Sequence, residues 1–228
     1  MRAEIDVAGV VAALEAMHGQ RHWHWWPDAD PFEVIVGSIL VQNTAWENVE
    51  RALANLRGAG ALQISVMGAL DAEAFEALIR PSGQFRQKAK KLRAFLDLVN
   101  EHGGLETLVR LPAPELRAAL LATWGIGPET ADCILLYAAR QPAIIIDAYL
   151  RRIFARLCLG PGPAASYTAW QAWLAGELPP GRDALSRFHA EVVQHCKLLC
   201  RKRRPLCGEC ALAATCSWPA ADGPESER

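Results

Sequence analysis

The stretch Leu121-Ala122-Thr123-Trp124-Gly125-Ile126-Gly127-Pro128-Glu129-Thr130-Ala131 decides the fold class. It reads as the end of an apolar helix, a Gly-x-Gly turn, and a second helix with proline in its first position. Glycine permits positive φ and close backbone approach, and proline at that position sacrifices no helical hydrogen bond. A helix start also presents unpaired N–H groups to an anion. Such a hairpin can grip a phosphate through Gly125, Ile126 and Gly127 without a charged side chain. An ordinary helix–helix turn can be written with the same residues.

Outward from the hairpin, helical punctuation dominates. Asp30-Pro31-Phe32-Glu33 combines an N-cap, a first-position proline and a capping-box acid, opening a helix to about Leu40. Thr44 is placed to cap the next, where Trp46, Val49, Leu53 and Leu56 share a face. Phe85, Ala89, Leu92, Leu96 and Val99 form the apolar stripe of a longer helix whose exposed face would carry Arg86, Lys90 and Arg93. Further helices are expected over 114–123, 128–139, 147–157, 166–178 and 183–199. Only Ala143 to Ile146 is β-branched enough to suggest a strand, and it is too short to build a sheet. The expected fold is all-α.

The chain has 228 residues, 51% of them hydrophobic, and a net charge of −1. No apolar run reaches the roughly 18 residues of a membrane span, and residues 1–20 lack a basic segment followed by an apolar one. A soluble, cytoplasmic protein is expected. Near-neutral charge argues against a nucleic-acid partner, but its distribution does not. Arg80, Arg86, Lys88, Lys90, Lys91 and Arg93 form one acid-free cationic run, and Lys197, Arg201, Lys202, Arg203 and Arg204 form another. Removing those eleven cations from the net charge of −1 leaves −12. Two concentrated patches on an acidic body resemble a phosphate-binding footprint, although each alone could be a solvated helix face.

Of seven cysteines, four are spaced Cys200-x6-Cys207-x2-Cys210-x5-Cys216. Zinc modules usually bring two close pairs from distant parts of a chain, whereas iron–sulfur clusters are often held by compact four-thiolate runs. On spacing alone both metals remain open. Cys133, Cys158 and Cys196 read as buried or spare thiols.

The cysteine spacing resembles, position for position, the cluster loop of endonuclease III and its adenine-excising relatives. The hairpin is similar to the helix-hairpin-helix of the same glycosylase superfamily, which places an essential aspartate about twenty residues downstream. Asp147 stands there, after Ile144-Ile145-Ile146. Trp25-Trp26-Pro27, followed by Pro31-Phe32-Glu33 and Gln42-Asn43-Thr44-Ala45-Trp46, resembles the 3-methyladenine glycosylase branch. Together these correspondences cover residues 25 to 216.

The resemblance implies a DNA N-glycosylase with a [4Fe–4S] cluster on the four cysteines, acting as a monomer on double-stranded DNA with a flipped damaged base. It implies two helical lobes with the active site in the cleft between: 28–140 a six-helix barrel ending in the hairpin, 1–27 with 141–228 the cluster lobe. Asp147 would stabilise positive charge developing on the sugar. Trp25, Trp26 and Trp46 would stack on the extruded base, with Tyr149 beside them. Gln42 would fill the gap in the duplex. Arg86, Lys88, Arg201, Lys202, Arg203 and Arg204 would contact DNA. Bifunctional members carry a Schiff-base lysine two residues after the second hairpin glycine, where this chain has Glu129. No lysine occurs between Leu92 and Cys196 to replace it, so water is the expected nucleophile. Glu129 is itself a candidate for catalysis, although an acid also suits the first turn of a helix. An alkylated base is the expected substrate. The alternatives are an oxidised-pyrimidine glycosylase with weak or absent lyase action, and a non-catalytic DNA-structure binder.

Overall fold

The structure, a computed structural model, describes residues 4–19 and 30–218. Among them the regular elements are helices: α1 (Val7–His18), α2 (Pro31–Leu40), α3 (Trp46–Gly58), α4 (Ile64–Ala69), α5 (Ala72–Ile79), α6 (Phe85–Glu101), α7 (Leu105–Val109), α8 (Ala113–Ala122), α9 (Pro128–Cys133), α10 (Ala148–Arg156), α11 (Tyr167–Ala175) and α12 (Arg182–Leu198). The all-α expectation holds, and residues 141–147 run as irregular chain rather than a strand. The chain divides into two compact units, Trp26–Ala143 and the pair Met1–Trp25 with Ile144–Arg228.

In the first unit α2 is the centre. Eight of its ten residues are buried, because an apolar surface on every side suits a helix enclosed by others. Its start follows the expected chemistry: Asp30 Oδ1 accepts from Phe32 N at 2.8 Å, with Pro31 in the first position. Around it lie α3, α6, α9 and the turn that follows α9. On α6, Ala89, Leu92, Leu96 and Val99 face the core as their spacing requires, while Phe85 is half-buried.

Three expectations change. Ala45, not Thr44, is the N-cap of α3. The Thr44 hydroxyl sits one residue too early and accepts from the Asn48 side chain at 3.0 Å instead. The helix after the hairpin is not uniform, since α9 widens into a π-helical turn over Ile134–Ala138 that buries Ile134, Leu135, Leu136 and Ala138. Arg93 does not share the open face of Arg86 and Lys90. Its guanidinium donates to Leu70 O at 2.7 Å and lies 5.3 Å from the Phe75 ring centre.

The second unit packs α1 and α10 against α12. Phe154 of α10 meets Trp170, Trp173 and Phe188 edge to face, the arrangement favoured by ring quadrupoles. Gly160 has φ +84 and its backbone lies against Trp170, where a Cβ would come within 2.6 Å of the indole.

Glu191 of α12 is buried, and among the described residues its Oε1 has no hydrogen-bond partner. Burial first, then Glu15 on α1, raise its pKa from 4.5 to about 7, against an opposing effect of Arg187. The folded chain therefore holds this proton more tightly than the unfolded chain, and stability falls as pH rises from about 4.5 through about 7. Thermal unfolding should show a loss of roughly 1–3 kcal/mol from this group between about pH 5 and pH 8. The loss should vanish in Glu191→Gln. An unchanged pH slope in that variant would exclude Glu191 as its source.

Candidate functional site

The hairpin is held from both sides. Arg117 of α8 makes a bidentate pair with the buried Asp132 of α9, Nε to Oδ1 at 2.7 Å and Nη2 to Oδ2 at 3.2 Å, which fixes one hairpin helix against the other. Between them Gly125 adopts φ +84. A side chain there would be strained by φ and would also collide with the stem of Lys91, with Cδ at 2.8 Å from the added Cβ. Ile126 is buried, so at the turn its backbone, not its side chain, is available to a ligand. Gly127 and Glu129 are exposed.

Gln42, just beyond α2, bridges to this hairpin. Its Nε2 donates to Thr130 Oγ1 at 2.9 Å and to Gly125 O at 3.3 Å, while Oε1 accepts from Lys91 Nζ. Lys91 thus corrects an inference drawn from sequence distance: a lysine does lie beside the hairpin, brought there by α6. Lys88 is a second correction. It was expected at the DNA, yet it is 1% exposed. Its ammonium donates to Leu40 O at 2.8 Å and Ser82 O at 2.5 Å. Burial first, and the Lys91 charge second, push its pKa down to about 8. The residue ties the end of α2 to the start of α6 instead of reaching solvent.

Asp147 caps α10. Its Oδ1 accepts from Leu150 N at 2.7 Å, and its Oδ2 lies 3.7 Å from Nε2 of the buried His189. The side chain is 11% exposed, so its direction is set by the helix and its surroundings rather than by solvent. Tyr149, half-buried, lies on the first turn, with Arg152 5.2 Å from its ring centre. Trp46 is half-buried against the core of its own unit and donates through Nε1 to Glu50 at 2.8 Å. Trp25 and Trp26 fall outside the described residues.

The far end of α10 grips the cysteine loop. Arg152 Nε donates to Cys200 O at 2.9 Å. Arg156, buried, donates to Cys200 Sγ at 3.0 Å, Arg201 O at 3.1 Å and Lys202 O at 3.4 Å, and lies 4.1 Å from the Trp218 ring centre. Cys200, Cys207, Cys210 and Cys216 line one small cavity with Leu199, Pro205, Leu206, Ala213 and Trp218. His195 Nε2 stands 3.6 Å from Cys210 Sγ, and its Nδ1 lies 3.1 Å from His18 Nε2. Donors from Cys196, His195 and Arg156 lower the Cys200 pKa against the effect of burial. Among the described residues no three His, Cys, Asp or Glu donors are placed to hold a single metal ion. Four thiols around an apolar cavity, with a guanidinium and an imidazole at the sulfurs, match a cluster that takes one thiolate per iron and carries net negative charge. Neither Arg152 nor Arg156 was legible as part of this site, although the i, i+4 spacing places both on one face of α10.

The cationic run between Cys200 and Cys207 lies at the surface. Arg201, Lys202, Arg203 and Arg204 are all exposed, on a backbone held from beneath by Arg152 and Arg156.

The family described as "HhH-GPD superfamily base excision DNA repair protein" matches residues 36–174. A Methanocaldococcus jannaschii protein named "Putative DNA repair glycosylase MJ1434" is 38% identical over 198 residues, 86% of this chain and 89% of that one. Endonuclease III of Thermotoga maritima is 28% identical over 197 residues, 84% of each. Among solved structures, H. pylori 3-methyladenine DNA glycosylase (MagIII) bound to 1,N6-ethenoadenine has a TM-score of 0.70 at 26% identity, covering 85% of this chain and 98% of its own. A non-covalent endonuclease III–DNA complex has a TM-score of 0.78 at 21% identity, covering 92% and 93%, and supports the fold alone. With a family match over most of its length and a relative at 38% identity, the chain belongs to the HhH-GPD superfamily of base excision repair DNA glycosylases.

Proposed function

We propose that the protein is a monofunctional DNA N-glycosylase that removes alkylated bases from double-stranded DNA, with water as nucleophile and a [4Fe–4S] cluster on Cys200, Cys207, Cys210 and Cys216. The observation that carries this reading is the Asp147 carboxylate. One oxygen is committed to Leu150 N, and the other, 3.7 Å from His189 Nε2, is the one proposed to face positive charge on the sugar as the base departs. A preoriented anion in a site of low water content stabilises such charge without reorganising. The same oxygen can orient the water that attacks C1′ as the N-glycosidic bond breaks.

Two features favour water over an enzyme amine. Glu129 stands where the Schiff-base lysine of bifunctional relatives falls, and the nearest amine to the hairpin, Lys91, is engaged by Gln42. Several alkylated purines are cationic and have weakened glycosidic bonds, so they suit a pocket of neutral aromatics. Trp46, with Trp25 and Trp26, is the proposed stacking set, and Tyr149 the proposed residue beside it. MagIII, at 26% identity, is a 3-methyladenine DNA glycosylase, which favours the same substrate class. A cluster would cross-link the loop and hold Arg201, Lys202, Arg203 and Arg204 in fixed positions along a phosphate backbone, lowering the entropy lost on binding.

Asp147→Asn should lower single-turnover excision by about 10²–10³-fold while duplex affinity stays within a few-fold of wild type. Equal excision in that variant would remove Asp147 from the mechanism, and binding without excision by the wild type on every duplex would favour a DNA-structure binder. On duplexes carrying 3-methyladenine, 7-methylguanine, thymine glycol, uracil or an abasic site, excision is expected for the methylated purines. Activity on thymine glycol alone would replace alkylated bases with oxidised pyrimidines. Borohydride should trap no efficient covalent adduct on abasic DNA, and an adduct that disappears in Lys91→Met would assign the amine and end the water mechanism. Purified protein should contain iron with equimolar acid-labile sulfide, both lost in Cys210→Ser. Zinc in their place would overturn the cluster.

A further inference from the structure

Gln42, Lys91, Gly125 and Thr130 form a closed set of hydrogen bonds at the hairpin. The Gln42 amide uses its oxygen for Lys91 Nζ and its nitrogen for Thr130 Oγ1 and Gly125 O. In this arrangement the side chain is folded back on its own unit. If Gln42 enters the duplex in place of a flipped base, all three bonds must break, and Lys91 is left with a half-buried ammonium lacking its acceptor.

Lys91 cannot simply withdraw. Its stem runs against the Gly125 backbone, with Cδ and Cε at 2.8 and 2.9 Å from where a Cβ would stand, so its head stays beside the hairpin turn. Its present partner is a neutral amide, and among the described residues it makes no ion pair. A carboxylate partner would compete with phosphate, whereas an amide is readily displaced by one. The Lys88 ammonium, three residues earlier on α6, is fixed on the carbonyls of Leu40 and Ser82. Two cations close to the chain leading into Gln42 leave a local excess of positive charge that an anion relieves.

We infer that Lys91 is a DNA-phosphate contact held in reserve by Gln42, and that Gln42 and Lys91 exchange partners when Gln42 enters the duplex. In the searching complex Gln42 stays on the hairpin and Lys91 on Gln42. In the lesion complex Gln42 occupies the gap, and Lys91 takes a phosphodiester oxygen. Thr130 and Gly125 O are released to water or DNA in the same step. The exchange couples base extrusion to one added backbone contact, so affinity rises only where insertion succeeds. It rests on the proposed role of Gln42, and its test separates the two.

The probes are an undamaged duplex and the same duplex with a tetrahydrofuran abasic-site analogue, titrated over a salt series. In the wild type, log K against log[salt] should be steeper for the analogue by about 0.9, the contribution of one phosphate. Lys91→Met keeps the stem against Gly125 and should abolish that increment without changing the undamaged slope. The ratio of wild-type to variant affinity for the analogue should therefore be about three- to fourfold larger at 50 than at 200 mM salt, as one lost 0.9 slope requires. Lys91→Arg should restore the increment. Gln42→Ala frees Lys91 throughout and should steepen the undamaged slope to that of the lesion complex. Equal loss from both slopes in Lys91→Met would make Lys91 a constant contact, and no loss from either would make it packing for Gly125; each overturns the exchange. Insertion is read separately by 2-aminopurine opposite the analogue. If Gln42→Ala leaves that fluorescence unchanged, the role of Gln42 fails, and the exchange fails with it. If the fluorescence changes but the slopes do not, insertion stands and only the exchange fails.

Discussion

The hydrogen bond from Leu150 N to Asp147 Oδ1 is the constraint on which the functional reading depends. It closes the first turn of α10 and, with His189 Nε2 3.7 Å from Oδ2, sets the direction of the carboxylate. A residue that caps a helix cannot turn without exposing an unpaired backbone N–H, so the cap and His189 together orient its second oxygen. The same helix ends in Arg152 and Arg156, which hold Cys200, Arg201 and Lys202 through their carbonyls. A single nine-residue helix therefore relates the carboxylate to the cysteine loop. Damage at either end is expected to be felt at the other through the axis of α10 rather than through a chain of side chains.

Arg156 explains why the loop can carry so many exposed cations. Arg201, Lys202, Arg203 and Arg204 repel one another, and a flexible loop would spread to relieve them. Here two of their carbonyls are fixed by a buried guanidinium whose other contacts are Cys200 Sγ and the Trp218 ring. The positive charge that organises the loop is therefore kept inside. The four that face outward remain free to meet phosphate.

Much of this was legible because it is local. The Asp30-Pro31 start of α2, the stripe on α6, the Gly-x-Gly turn and Asp147 before a helix are all statements about neighbours along the chain, and the fold contains each of them. The short helices α4, α5 and α7 carry too few residues for a period to stand out. Thr44 failed as an N-cap by one position, a margin within the usual uncertainty of helix ends. The larger errors concerned long-range placement. Lys88 and Lys91 lie three residues apart, yet one is enclosed under the end of α2 and the other lies against the hairpin; nothing in the cationic run distinguishes them. Arg152 and Arg156 carried no motif, because their partners are backbone carbonyls from 45 to 48 residues away. The aromatic segment with Trp25 and Trp26 keeps its reading from sequence alone.

The two cationic runs, alike in composition, turn out to be different physical objects. Along 80–96, Lys88 is buried, Arg93 is tied to Leu70 O, Lys91 is engaged by Gln42, and Arg86 has Glu76 at 3.6 Å. Much of that charge is already spent within the fold. Along 201–204 the side chains face solvent and only the backbone is restrained. For a chain of net charge −1, the proposed long-range attraction to DNA would come chiefly from the cysteine loop, where charge is unscreened by internal partners. The α6 run would then act at close range, where Lys91 matters only after its internal partner has been displaced. On the proposed function, association and recognition would fall to different residues: the loop would set how often the protein meets DNA, and the hairpin neighbourhood how long it stays at a given base.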